Sequence, residues 1–471
     1  MISRRELLGI GAASLISMDE PNARRARGSK LPQRQPNVLV FFTDQQRWDT
    51  CGCYHDSPLH LTPNLDRLAT EGTLVRHSFT VQPVCAPARA CLQTGLYGTQ
   101  HGVWRNGLPL TPNHKTLAHY FAEAGYHTAY IGKWHLACTG VKPVPRELRG
   151  GYEEWLAADV LEMTSHPYDF RVFDTGNRPY HRAGYRVDAQ TDCVLDFLRR
   201  QAQEKTRPFF LFTSYLEPHF QNDMKRFVAP DGYADRYRNN LYAPPDLVHA
   251  GKGDWPQELP DYYGMCASLD ENLGRVLAAL DELNLRENTI LLFASDHGCH
   301  FRTRNDEYKR SCHESSIRVP TVFTGPGFRK GHVIDELVAI PDWSATLLDA
   351  AGIKVPDTFM GRSILPLIHG HHSSWPSEVF IQISESQVGR ALRTKRWKYG
   401  VNAPGADGWR ESAAGEYRDQ YLYDLHADPW ETHNLVAQPK YRQVLEELAT
   451  ILTKRMEAVG EAAPKIRRAW D

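Results

Sequence analysis

No stretch of the 471 residues stays apolar over the length a helix needs to cross a bilayer, which removes a helical membrane span from consideration. An excess of either charge is missing too. With 55 Lys and Arg against 56 Asp and Glu, the formal net charge is −1. Nothing global therefore draws the chain to nucleic acid or an anionic membrane, and any anion binding must be local. The nine cysteines are odd in number and irregularly spaced, which argues against a disulfide framework. Cys51-x-Cys53 has no second pair at zinc-site spacing, so these thiols and most of the rest are expected in the core. Internal repeats and low-complexity tracts are absent. What is left is a composition 41% hydrophobic and 24% charged, typical of a globular protein, in a chain long enough for a large domain plus a smaller one.

The amino terminus reads differently from the rest. A basic start at Arg4-Arg5, a short apolar run from Leu7 to Ile16 and small residues look like a twin-arginine export signal, and Arg24-Arg25-Ala26-Arg27 reads as a disordered tether. An exported protein, periplasmic or extracellular, is the expectation. The boundaries that follow are 1–30 for signal and tether, 31–370 for a catalytic domain and 371–471 for a carboxyl-terminal subdomain.

Four runs carry the fold reading. Val38 to Thr43, Thr128 to Ile131, Phe209 to Tyr215 and Thr289 to Ser295 are almost continuously apolar, as parallel strands buried on both faces are. Each ends in chemistry: Asp44-Gln45, Lys133-Trp134-His135, Glu217-Pro218-His219 and Asp296-His297. Helical patterns lie between them, at Asn64 to Glu71, Lys115 to Ala124, Val187 to Gln201 and Tyr262 to Leu283. The pattern predicts an α/β fold, with a large, mostly parallel sheet sandwiched by helices and a ligand site at its carboxyl edge. From Glu378 the texture changes to strands at Glu378 to Ile383, Ala391 to Tyr399 and Tyr421 to Leu425, then a helix from Tyr441 to Val459. A small antiparallel α+β subdomain is expected there. Gln221 to Pro260, rich in Pro, Tyr, Asp and Arg, reads as a loop over the site.

Cys85-Ala86-Pro87-Ala88-Arg89-Ala90-Cys91-Leu92-Gln93-Thr94-Gly95 reads as a short helix with Pro87 early and Gly95 as its stop. Cys85 sits at the electropositive end, with Arg89 one turn on and able to reach back. A lone cysteine before a helix is more often a buried structural residue than a nucleophile. Asp44, Gln45 and Asp296 supply clustered oxygens for a divalent cation, with His297 beside them.

The frame Cys-x-Pro-x-Arg followed by Leu-x-Thr-Gly resembles the signature of the type I sulfatases of the alkaline phosphatase superfamily, and the likeness runs from about Pro36 to Asn434-Leu435. The resemblance implies that a formylglycine-generating enzyme oxidises Cys85 to formylglycine (3-oxoalanine), whose hydrated aldehyde attacks sulfur. It implies one Ca²⁺, or Mg²⁺, held by Asp44, Gln45, Asp296 and His297 next to residue 85. Many members have a second Asp where this chain has Gln45, which removes one negative charge. By the same resemblance Lys133 and Lys309 contact the sulfate and Arg89 holds the hydrate. His135 assists residue 85 and later regenerates the aldehyde, and His219 protonates the leaving oxygen. His300, Arg302 and His313 near Lys309, and Gln387, Arg390 and Trp409 in the small subdomain, are substrate-contact candidates. The expected activity is hydrolysis of a sulfate ester, on a carbohydrate. A phosphonate or phosphate diester hydrolase of the same superfamily, and a catalytically silent binder of sulfated glycans, are the alternatives.

Overall fold

Along Val38-Leu39-Val40-Phe41-Phe42 successive side chains point to opposite faces of one strand, and all are buried, so both faces must be covered. Val38, Val40 and Phe42 pack with Ala88, Leu92, Leu117, Phe121 and Leu347 on one side. Leu39 and Phe41 pack with Leu65, Leu68, Val194, Phe197, Leu273 and Val276 on the other. A helical layer lies on each face.

The computed structural model describes residues 35–55, 58–204, 206–239 and 241–470. The export signal and tether expected over 1–30 lie outside them. In chain order the large sheet comprises β1 (Asn37–Thr43), β2 (Thr73–Phe79), β3 (His127–Lys133), β4 (Glu154–Ala158), β5 (Asp169–Asp174), β6 (Pro179–Ala183), β7 (Phe209–Ser214), β8 (Thr289–Ser295), β9 (Thr321–Thr324) and β10 (His332–Ala339). Their order across the sheet is β10-β2-β9-β8-β1-β7-β3-β4-β5-β6. The central run β8-β1-β7-β3-β4 is parallel throughout. Antiparallel pairs occur only around β9 and in the β4-β5-β6 edge.

Register decides where the chemistry lands. Thr43 stands beside Ser295, Phe42 beside Ser214, and Ser214 beside Gly132. Asp44, Lys133, Asp296 and the segment leading to Glu217 therefore leave the sheet at one edge. A Cβ on Gly132, whose φ is +109°, would lie 2.0 Å from the Ser214 carbonyl oxygen, so β3 and β7 come this close only because the position is glycine.

The helix expected from Tyr262 begins earlier, at Trp255, and runs through Pro260 to Glu282. Pro260 falls in the second turn and removes only the hydrogen bond to the Pro256 carbonyl. The Gln221 to Pro260 segment is no bare loop: it holds short helices at Asp235–Arg238 and Pro245–His249. Phe227, Leu247 and Leu259 are buried there with Phe220, Tyr262, Phe301 and Tyr308.

The second sheet is β11 (Glu378–Ile383), β12 (Gly389–Thr394), β13 (Trp397–Asn402), β14 (Glu416–Asp424) and β15 (Lys465–Arg467), antiparallel except that β15 joins β14 in parallel. The single strand expected from Ala391 to Tyr399 is thus a hairpin. Thr394 Oγ1 accepts from the Trp397 amide at 2.8 Å, closing a two-residue turn at Lys395-Arg396. Helix Arg442–Ala458 buries Leu445, Leu448, Leu452 and Met456 against Phe380, Leu392, Tyr399 and Leu422. All nine cysteines are free; Cys138 is exposed rather than core. No helix of the described residues is long and apolar enough to cross a membrane.

Candidate active site

Cys85 opens the Cys85–Thr94 helix and is buried. The first turn offers its sulfur less than the sequence pattern suggests. The Ala86 amide donates to Asn106 Oδ1 at 3.1 Å, and Pro87 has no N–H. Side chains supply the positive field instead. Lys309 Nζ lies 2.9 Å from Cys85 Sγ, His297 Nε2 3.3 Å and Lys133 Nζ 3.8 Å. Burial alone would raise the thiol pKa, but Lys133, Lys309 and His297 together hold it well below its ordinary value.

Arg89 does not reach back to the sulfur in the way its spacing suggests. Its Nη2 lies 2.9 Å from Asp44 Oδ2 and 3.3 Å from Asp296 Oδ2, and its Nη1 donates to the Lys133 carbonyl at 3.0 Å and Ser214 Oγ at 2.6 Å. It clamps the two carboxylates to the strand ends. Asp44 Oδ2 also takes Lys133 Nζ at 2.9 Å.

Asp44, Cys85, Asp296 and His297 bring ligand atoms within 4.8 Å of one another, all from buried residues. Burial and the adjacent sulfur push the Asp44 carboxyl up, yet Lys133, His219 and Arg89 keep it well below the usual carboxylate range. Asp296 goes the other way, to about 7, through burial and the charge of Asp44. Its Oδ2 is buried and accepts no hydrogen bond. Two carboxylates crowded in a dry site, one with an unsatisfied oxygen, fit a divalent cation. His297 Nδ1 lies 2.9 Å from the Gly298 carbonyl, which turns Nε2 toward the cluster. Gln45, held in a left-handed conformation (φ 70°), donates its amide to Asp296 Oδ1 at 3.0 Å and directs Oε1 toward Lys309 Nζ at 3.4 Å.

A cavity of about 320 Å³ opens above the sulfur, lined by Gln45, Cys85, His135, His219, Arg302 and Lys309 together with Asn106, Glu162, Phe220, Asn222, Glu307, Tyr308 and Arg310. His219 Nε2 is 3.1 Å from Lys309 Nζ, and its Nδ1 is 2.6 Å from the Phe220 carbonyl. Burial, then Lys309, lower its pKa. Arg302 lies over the Tyr308 ring at 4.8 Å.

Other substrate-contact candidates are placed elsewhere. His300 is fully buried and its Nε2 contacts the Lys309 carbonyl at 2.9 Å, so it shapes the lysine's loop. His313 is buried between Ser311 Oγ and Tyr423 OH, each at 3.2 Å. Arg390 is buried on Glu461, at 2.9 and 3.0 Å. None of these three is among the cavity's lining residues, and polarity in the sequence had no means of separating an interior group from one facing ligand. Gln387 pairs its amide with that of Gln420. Trp409 is exposed, its ring 5.7 Å from the Arg310 guanidinium. Among the described residues of the 221–260 segment, only Asn222 lines the cavity.

Sequence reasoning missed Glu162. It lies on the short Leu161–Thr164 helix after β4, whose run Trp155-Leu156-Ala157-Ala158 ends at Asp159, so three residues separate Glu162 from the strand end and nothing in the sequence marks its return to the site.

A family profile described as Sulfatase matches residues 36–353, and one described as N-sulphoglucosamine sulphohydrolase, C-terminal, matches 306–458. The chain is 31% identical to an ulvan-active sulfatase of Formosa agariphila, over 91% of this chain and 82% of that one. It is 30% identical to an arylsulfatase of Clostridium perfringens, over 91% and 95%. The solved structure of a Bacteroides fragilis protein described as a sulfatase superposes with a TM-score of 0.79 at 25% identity, covering 92% of this chain and 98% of that one.

Proposed function

The chain belongs to the sulfatase family, a family of sulfuric ester hydrolases, and from that premise we propose that it hydrolyses a sulfate ester on a carbohydrate using residue 85 as nucleophile. The observation that carries this reading is the convergence of Lys133, Lys309, His297 and the Asp44–Asp296 pair on a single buried sulfur. The likeness to an ulvan-active sulfatase and to the N-sulphoglucosamine sulphohydrolase carboxyl-terminal profile supports a carbohydrate.

Cys85 Sγ stands where the oxygens of a formylglycine hydrate would be after maturation by a formylglycine-generating enzyme. Asp44, Asp296, His297 and Gln45 Oε1 form the donor set for Ca²⁺ or Mg²⁺. With both groups in place the site would have a hydrate nucleophile and a Lewis acid. The chain's own residues do the rest. Arg89 fixes both carboxylates, and Lys133 and Lys309 provide donors for sulfate oxygens. His135, which helps lower the thiol pKa, is the base beside residue 85. His219, on the cavity wall next to Lys309, delivers the proton the departing sugar oxygen needs. Export directed by the Arg4-Arg5 segment belongs to the same reading.

A panel of sulfated mono- and oligosaccharides, run beside a phosphonate monoester and a phosphodiester, tests it. Sulfate monoesters should have the higher kcat/KM, and exhaustive chelation should abolish their turnover. A preference of about tenfold or more for the phosphonate or diester, a difference of about 1.4 kcal/mol, would establish the diesterase instead.

A further inference from the structure

A sulfate pocket is expected to be lined by donors, and this one also contains two carboxylates: Glu307, exposed and paired with Arg310 at 2.9 Å, and Glu162, which is buried. Glu162 is 4% exposed and lines the same cavity as Cys85, His135, His219 and Lys309. It is held firmly. Its carbonyl accepts from Gln221 Nε2 at 3.2 Å, and Gln221 Oε1 is in turn gripped by Arg186, which also takes Glu217 and the Ser165 carbonyl. Glu162 Oε1 accepts from Lys133 Nζ at 3.2 Å. Oε2, also 3.2 Å from that ammonium, is buried and accepts no aligned hydrogen bond. Burial would raise its pKa, but Lys133, and then His135 and His219, bring it down to about 2, so the group is an anion at neutral pH.

The two lysines are therefore unlike. Lys133 is shared between two carboxylates, Asp44 and Glu162. Lys309 meets Gln45 Oε1, Cys85 Sγ and His219 Nε2 and, among the described residues, no carboxylate. The Lys309 side of the cavity therefore favours anionic oxygen more than the Glu162 side does, where Lys133 is already shared between carboxylates. An ionised carboxylate only accepts hydrogen bonds, and a buried acceptor left without a donor costs about 1–3 kcal/mol or more.

Resting on the sulfatase reading, we propose that Glu162 determines specificity: it accepts a hydrogen bond from a donor, a free hydroxyl or N–H, on the atom next to the sulfated carbon, and rejects substrates bearing a second sulfate there. The substrate class is then a monosulfated sugar unit with a free donor vicinal to the ester.

Three aryl esters isolate the effect: catechol monosulfate has a hydroxyl beside the ester, phenyl sulfate has hydrogen, and catechol disulfate has a second anion. Affinities are measured by calorimetry on full-length Cys85→Ala protein, which cannot turn them over, with and without Glu162→Gln or Glu162→Leu. The single-variant background should bind the monosulfate about tenfold or more tighter than phenyl sulfate, and the disulfate worst. Glu162→Gln and Glu162→Leu should weaken the monosulfate while strengthening the disulfate, effects of opposite sign that a lost structural contact would not produce. Equal affinity for all three esters before substitution, absent binding included, overturns the proposal, as does uniform weakening after it. Failure of every sulfated sugar in the panel to release sulfate would be a different result, removing the sulfatase reading itself.

Discussion

His219 can give up a proton only if it first has one. In the free site burial and Lys309 favour the neutral ring, with Nδ1 at the Phe220 carbonyl and Nε2 facing the ammonium. A bound sulfate would add negative charge beside that ring and push its pKa back up, so in the proposed role as general acid His219 would be armed by substrate. A sugar alkoxide needs the proton as its S–O bond breaks, whereas a nitrophenolate leaves without help. General acid catalysis is typically worth about 10² to 10⁴ in rate. His219→Ala should therefore slow a sugar sulfate by about that factor and an activated aryl sulfate by about tenfold or less. Equal losses on both would make His219 a sulfate ligand. His313, buried between Ser311 and Tyr423, is no substitute; His135 is the remaining imidazole in the cavity.

At the scale of elements, the loop that presents Lys309 is held from the second sheet. Lys398 on β13 donates to the Cys312 carbonyl at 2.8 Å and meets Glu314 Oε1 and Glu431 Oε1, each at 2.9 Å; all three charged groups are buried. Arg304, inside the loop, donates to the Trp430 and Glu431 carbonyls. Breaking a buried ion cluster by removing one partner leaves uncompensated charge, at a cost of about 3–5 kcal/mol. Lys398→Met keeps the volume and should lower the urea midpoint by a corresponding amount. Sulfate release should fall as well, because Lys309 loses its support. An unchanged midpoint would mean that Glu314, through Arg393 at 3.2 Å, is already fully compensated.

The elements that brought the site together are also those most legible in the sequence. β1, β3, β7 and β8 are buried on both faces, so they announce themselves as apolar runs whose endings are the reacting groups. Neither Glu162 nor Asn106 stands directly at the end of such a run, and both become visible only through the cavity they line. His300, His313 and Arg390, which do not line the cavity, have one thing in common: each is polar in the sequence yet buried on partners inside the protein. The carboxylate partners of Arg89 were not legible either, because helix spacing fixes only which face a side chain leaves from. Whether it turns toward Cys85 or toward the Asp44–Asp296 pair is set by strands far away in sequence.

For the whole molecule, the proposed chemistry rests on residue 85 at the edge of a sheet whose register brings Asp44, Lys133 and Asp296 together, with helices and one loop supplying the other groups. The most direct test takes several preparations of the protein, made with and without a formylglycine-generating enzyme. The fraction of residue 85 present as aldehyde is read by peptide mass spectrometry, and sulfate release from the best sugar sulfate is measured on the same samples. The account predicts a rate proportional to the aldehyde fraction and falling to zero with it. Full turnover by protein whose Cys85 is entirely thiol would contradict it.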